Sequence, residues 1–212
     1  MMKIKHALIC LDGEPPQVKT LYQELKNVDF VIAADGGANW LFEYNIAPDV
    51  LIGDLDGVKK KTLVRLPSTQ VIQIKDQHST DLEKAFSWAL KQKIKNVTVM
   101  AVTGKRIDHI LSNFSLLWKF HKKMHIEIVH DDWYAILLPN LKLKIDVKKG
   151  MTISLIPFSN CSGITLSGFQ YPLSRATMKT GQVGVSNVAS KPTVTIEIKR
   201  GNMLAIFLQD KK

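Results

Sequence analysis

The chain has 212 residues, and 29 Lys+Arg against 19 Asp+Glu leave a formal net charge of +10. With 45% hydrophobic and 23% charged residues it can bury an ordinary core, which excludes a disordered chain, a collagen-like repeat and a small disulfide scaffold. No apolar run approaches the roughly 18 residues of a membrane span, and the run at 7–11 is too short for a signal-peptide core, so a soluble, unprocessed chain is expected.

Along the first half, apolar runs predict buried strands at 6–11, 30–34, 50–53, 70–74 and 97–102. Between them, apolar residues at helical spacing predict helices at 18–25, 38–44, 81–91 and 107–121. This alternation favours parallel pairing, with ligand sites at the carboxyl ends of the strands. After residue 123 the helix signals stop, and short runs at 126–129, 134–138, 141–147, 151–156, 163–167, 194–198 and 203–208 predict strands. The expected fold is therefore an α/β N-terminal domain over 1–123 with a mainly parallel, Rossmann-like sheet, followed by an all-β, sandwich-like domain over 124–212. Cys10 and Cys161 lie in separate apolar stretches and read as reduced core thiols of a cytoplasmic protein. Trp40, Trp88, Trp118 and Trp133 are assigned to packing.

The basic excess raises the possibility of a nucleic-acid-binding protein. However, the Lys and Arg are scattered, without the interleaved aromatics of a base-stacking surface. The acidic residues are more informative. Asp35, Asp54, Asp56, Asp76, Asp81 and Asp108 each follow a predicted strand, so four strand ends bring six carboxylates to one edge of a sheet. Such a group repels itself unless a cation sits within it, and a hard divalent ion such as Mg²⁺, which takes oxygen ligands and substrate phosphates, resolves the conflict. Taken alone, Asp35-Gly36-Gly37 is an ordinary turn, Ser79-Thr80-Asp81-Leu82-Glu83 a helix cap, and Arg106 and His109 surface residues. Their coincidence at strand ends favours a site. Gly36, Gly37, Gly53, Gly57 and Gly104 let backbone N–H groups approach phosphate oxygens. No P-loop or dinucleotide fingerprint occurs, which leaves Lys105 and Arg106 as the best-placed phosphate cations.

The runs 34–39, 48–56, 76–83 and 103–109, followed by 168–173 and 184–187, resemble in that order the motifs of the thiamine pyrophosphokinase family. The resemblance implies transfer of a diphosphoryl group from ATP to thiamine, giving thiamine diphosphate and AMP, with Mg²⁺ required. It also implies a homodimer with active sites between subunits and no membrane or nucleic-acid partner. By motif position, Asp54, Asp56 and Asp81 hold the metal and act catalytically with Arg106. ATP is met by Asp35, Gly36, Gly37, Asp76, Gln77, Ser79, Thr80, Thr103, Gly104, Lys105, Arg106, Asp108 and His109, and thiamine by Tyr171, Ser186 and Asn187. Leu55, Gly57 and Lys105 depart from the pattern, standing where Phe, Ser and a second Gly are common. Gly53-Asp54-Leu55-Asp56-Gly57 also resembles the Asp-x-Asp signature of haloacid-dehalogenase-like phosphatases, although there the motif follows the first strand and here it follows the third.

Overall fold

The computed structural model describes residues 4–138 and 141–209; the outermost ends of the expected domain spans, 1–3 and 210–212, lie outside the described residues. The chain divides into two compact units, the first ending at His130 and the second beginning at Asp131.

The first unit alternates strand and helix: β1 (His6–Cys10), α1 (Val18–Leu25), β2 (Phe30–Ala34), α2 (Gly37–Glu43), β3 (Val50–Gly53), α3 (Lys60–Val64), β4 (Gln70–Gln73), α4 (Asp81–Lys91), β5 (Asn96–Met100), α5 (Ile107–Phe120) and β6 (His125–Val129). All its strand pairs are parallel, in the order β6-β5-β1-β2-β3-β4. The inner strands read as unbroken apolar runs because helices cover both faces. Val50 to Gly53 is buried throughout, whereas β4 at the edge is largely exposed. Leu8, Leu21, Ala33, Leu41, Leu51 and Met100 share one core. From β1 the strand order runs outward in both directions, so β1 and β5 flank the switch point at which open parallel sheets bind ligands beyond their strand ends.

The second unit is all β: β7 (Trp133–Leu138), β8 (Lys142–Asp146), β9 (Thr152–Pro157), β10 (Cys161–Ser167), β11 (Leu173–Met178), β12 (Gly184–Val188), β13 (Thr193–Glu197) and β14 (Met203–Leu208). Its antiparallel strands run β12-β9-β14-β7 and β11-β10-β13-β8. Both arrays contribute to one core, with Ile153, Leu155 and Phe207 from the first and Ile164, Val194 and Ile196 from the second. Tyr134 stacks on Phe207 at a centroid distance of 4.5 Å.

Four elements differ from the sequence reading. The strand grouped with the C-terminal domain, β6, pairs in parallel with β5 and belongs to the first unit; helix signals stop at α5, but the strand after α5 completes the β5–α5–β6 crossover. Helix α3 has only five residues, too few for a periodic pattern. Strands β11 and β12 carry mostly exposed or half-buried residues, Leu-Ser-Arg-Ala-Thr-Met and Gly-Val-Ser-Asn-Val, and lack the alternation that identifies a half-buried strand. Among the described residues no helix is long and apolar enough to cross a membrane.

On β6, His125 and Glu127 share a strand face, with Nε2 and Oε1 2.9 Å apart. The contact raises the imidazole above its ordinary 6.5 and lowers the carboxyl below 4.5. The pair is fully ionised between those two values. Its contribution is lost on the alkaline side as pH rises through the raised His125 value, and on the acid side as Glu127 takes up a proton. Both groups are partly solvated, so the effect on stability is below about 1 kcal/mol. An NMR titration should find His125 above 6.5, with Glu127→Gln returning it towards that value; an unmoved His125 would rule out the coupling.

Candidate active site

Strand β2 ends in Asp35, whose backbone turns left-handed at φ 46° while its N–H donates to the Ile52 carbonyl at 2.8 Å. Its carboxylate is buried, 6% exposed. Oδ2 accepts from the Gly57 N–H at 3.0 Å, and Oδ1 is buried with no hydrogen-bond partner. Position 57 must be glycine for this contact, since a Cβ there would lie 2.1 Å from Oδ2.

The loop after β3 is held from two sides. In α2 the buried Asn39 donates to the Gly57 carbonyl at 2.9 Å and accepts, through Oδ1, from the Lys59 N–H and the Thr62 hydroxyl, both at 2.9 Å. After β4, Gln77 donates to Asp54 Oδ2 at 3.0 Å, and Gln73 donates to the Asp54 carbonyl at 2.9 Å. Asp35, Asp54 and Asp56 thereby present carboxylate oxygens within 4.8 Å of one another. Burial, then the charges of Asp81, Asp56 and Asp54, pushes Asp35 up to about 6. Asp56 is raised chiefly by Asp54, whereas the Gln77 bond lowers Asp54.

Helix α4 begins at a Thr80 cap, whose hydroxyl accepts from the Glu83 N–H at 3.3 Å. Its first residue, Asp81, lies on the same cleft and receives Lys84 Nζ on Oδ1 at 3.1 Å. Lys84 is 5% exposed, unusual for a lysine unless it is paired. After β5, Arg106 grips Asp108 in a two-point contact, with Nε 3.1 Å from Oδ1, and this holds the Asp108 carboxyl down to about 2.

These strand ends enclose a cleft of about 590 Å³. Asp35, Asp54, Asp56, Gln77, Ser79, Thr80, Asp81, Gly104, Lys105, Arg106 and His109, all expected from the sequence, line it. Gly36, Gly37, Asp76, Thr103 and Asp108, also expected from the sequence, are not among the lining residues. The Asp76 carboxylate accepts from the His78 N–H at 2.9 Å and the Ser79 hydroxyl at 2.6 Å, bracing its own loop. The Thr103 carbonyl accepts from the Glu14 N–H at 2.7 Å, tying the β5 end to the β1 end. Sequence reasoning missed Asp12, Lys84 and Asn113 in the lining and Asn39 behind it. Only Lys84 carried a signal, its three-residue spacing from Asp81 on one helix face.

In the second unit Asn187 is buried and spends its side chain on Tyr171, accepting from its N–H at 3.1 Å and donating to its carbonyl at 2.8 Å. The Tyr171 ring is 62% exposed. Ser186 is left-handed, φ 60°, at a register shift between β12 and β9.

Eight described non-glycine residues have left-handed backbones, and four of them, Asp35, Leu55, Ala101 and Lys105, occupy the strand-end turns of this cleft. Each costs about 1–2 kcal/mol, and strain concentrated in one place marks a functional site. The arrangement offers hard carboxylate oxygens, a partnerless buried oxygen and three cations, which suits a divalent ion and a polyphosphate. Asp54 follows the third strand, so the position of the motif does not favour a phosphatase.

Comparison with known proteins agrees. Residues 21–130 match the family described as "Thiamin pyrophosphokinase, catalytic domain", and residues 140–203 match "Thiamin pyrophosphokinase, vitamin B1 binding domain". The thiamine pyrophosphokinase of Bacillus subtilis is 30% identical over 188 residues, covering 84% of this chain and 87% of that protein. Thiamine pyrophosphokinase 1 of Oryza sativa subsp. japonica is 27% identical, covering 90% and 83%. The crystal structure of the Bacillus subtilis enzyme superposes with a TM-score of 0.84 at 28% identity, over 98% of this chain and 100% of that one. The Candida albicans protein shares the fold, with a TM-score of 0.86 at 18% identity over 98% and 90% of the two chains. The chain belongs to the thiamine pyrophosphokinase family.

Proposed function

We propose that the cleft of the first unit transfers the diphosphoryl group of ATP to the hydroxyl of thiamine, with Mg²⁺ held among the strand-end carboxylates. Family membership makes the chain an enzyme that produces thiamine diphosphate. The observation that carries the metal assignment is the buried Asp35 Oδ1, which has no hydrogen-bond partner and lies beside Asp54 and Asp56. Three hard oxygens so close, one of them desolvated, suit a small divalent ion. Asp54 and Asp56 would hold it, with Asp81 from α4 and Asp35 from beneath. When bound, it neutralises phosphate charge.

In the reaction the thiamine hydroxyl oxygen bonds to the β-phosphorus and releases its proton to solvent, while the bond from that phosphorus to the α–β bridging oxygen breaks and AMP departs. Such a transfer depends on positioning and charge neutralisation. Arg106, steadied by Asp108, clamps phosphate oxygens, and Gln77, Ser79, Thr80, Gly104 and His109 line the nucleotide's path. Gly36, Gly37 and Thr103 shape that path through their backbones, and Asp76 holds the loop that carries Gln77 and Ser79. The first unit acts as a Rossmann-like ATP and Mg²⁺ domain and the second as the thiamine domain. Tyr171 offers an exposed ring to the cationic thiazolium or the flat pyrimidine. Ser186 lies nearby in sequence to Asn187, which braces Tyr171. We further propose a homodimer with each active site shared between subunits, working in the cytoplasm, where the buried thiols of Cys10 and Cys161 stay reduced.

Asp54→Asn should fold normally by thermal melting, whereas Asp81→Asn, which strands the buried Lys84 ammonium, should melt lower than the parent; both should lose about 10²–10³-fold of thiamine-dependent AMP release. Near-normal turnover in both would overturn the metal assignment. Asp35→Asn should melt higher than the parent in metal-free buffer at pH 7.5, by about 2–4 °C for each kcal/mol of buried charge relieved. The same variant should lose most of the melting shift that Mg²⁺ gives the parent protein, and a parent-like shift would remove Asp35 from the site.

A further inference from the structure

Lys105 stands in a position that its backbone does not favour. Gly104 and Lys105 are consecutive left-handed residues, φ 87° and 56°, and only glycine adopts that region without strain. The Lys105 side chain ends on Asp12, with Nζ 2.7 Å from Oδ1, and both groups remain about half exposed. An ion pair so exposed is screened by water and does not repay the strained backbone. Stability therefore gives no reason for a lysine here.

The surroundings give a different reason. Asp12 leaves the end of β1, and Lys105 follows the end of β5, so the pair closes across the switch point where the strand order reverses. Both residues line the cleft that holds the carboxylate group. Room for Asp12 is made by Gly36 at the end of β2, where a Cβ would lie 2.4 Å from the Asp12 Cγ. The β1 and β5 loops are fastened together by the hydrogen bond from the Glu14 N–H to the Thr103 carbonyl at 2.7 Å. Three strand ends thus converge to hold one ammonium at the rim of the cleft. The other two cations there, Lys84 and Arg106, are bound to carboxylates of their own segments. Lys105 is bound from a different segment, the loop that leaves β1. An ammonium carries three donors, so it can keep Asp12 while meeting a phosphate oxygen.

We infer that Lys105 captures the polyphosphate of the nucleotide and that Asp12 is its positioning residue, holding the ammonium in place from across the switch point. This rests on the ATP reading above and adds to it Asp12, which no motif marks.

Calorimetric binding of ATP, inorganic tripolyphosphate and adenosine to the full chain, in Mg²⁺ buffer, tests it. Lys105→Gly suits the left-handed backbone and keeps the fold. It should weaken ATP and tripolyphosphate by the same factor, about tenfold, and leave adenosine unchanged. Asp12→Asn should weaken both phosphates about threefold in the parent background and not at all in the Lys105→Gly background, the non-additivity expected when one residue acts through another. Unchanged tripolyphosphate binding in Lys105→Gly, or tighter binding in Asp12→Asn with Lys105 present, would overturn the inference. Thiamine-dependent AMP release by the parent protein is measured alongside: if it is present while the variants bind normally, this inference alone fails, whereas a parent that binds no ATP sinks the underlying reading.

Discussion

The first unit is organised around one electrostatic conflict, the crowding of Asp35, Asp54 and Asp56 within 4.8 Å with Asp35 buried beneath the others. Like charges at that separation, in a place from which water is partly excluded, repel strongly. The chain holds them there by restraint. Gly57 gives up its side chain to admit Asp35 Oδ2, Asn39 fixes the Gly57 and Lys59 backbone, and Gln77 steadies Asp54. Left-handed turns at Asp35 and Leu55 complete the geometry. The parallel sheet makes this affordable, because its buried strands and the covering helices fix where each strand end emerges.

The cations around the cleft follow a common rule. Lys84 is paired with Asp81, Arg106 with Asp108 and Lys105 with Asp12. Each pairing leaves one acid and one base side by side, so the cleft can receive an ion and a polyanion together without a large net field. The pairs differ in burial. Lys84 is enclosed, and removing its partner would strand a charge. Arg106 and Lys105 are solvated, so their contacts are cheap to rearrange when a phosphate arrives. Fixed charge therefore sits deep in the cleft and adjustable charge sits at its rim.

Much of this was legible in the sequence, and the reasons are local. The runs through Val31-Ile32-Ala33-Ala34 and Val50-Leu51-Ile52 are apolar because both sheet faces are covered, and each ends in an Asp, so the site's edge could be read directly. Burial and pairing could not be read. Asn39 looks like an ordinary helix residue until its amide is seen clamping the loop 18–23 positions away, and Asp12 has no motif around it. Asn187 carries no sign in the sequence that its amide holds the Tyr171 backbone, an arrangement set by long-range packing. Strands β11 and β12 carry no strand signal because their residues are mostly exposed or half-buried and do not alternate apolar with polar. Strand β6 pairs with β5 although it lies past residue 123, because a lone strand following a helix carries no mark of which sheet it joins.

The three departures from the family pattern are accounted for unequally. Gly57 is linked to Asp35: a serine there would place its Cβ 2.1 Å from Oδ2, so the carboxylate would have to leave the position from which it accepts the Gly57 N–H. The absence of any Cβ is thus the condition for a buried carboxylate bound to the backbone. Lys105 is linked to Asp12 and, through it, to the glycine at 36 that leaves Asp12 its space. Nothing in the structure explains a leucine in place of phenylalanine at 55. Two of the three positions therefore belong to contacts that span separate strand ends. Position 57 constrains the residue that can lie under the loop after β3, and position 105 constrains what can leave the end of β1. The net charge of +10 says little about either, because what decides the site is which single cation or carboxylate each strand end can bring within reach of the next.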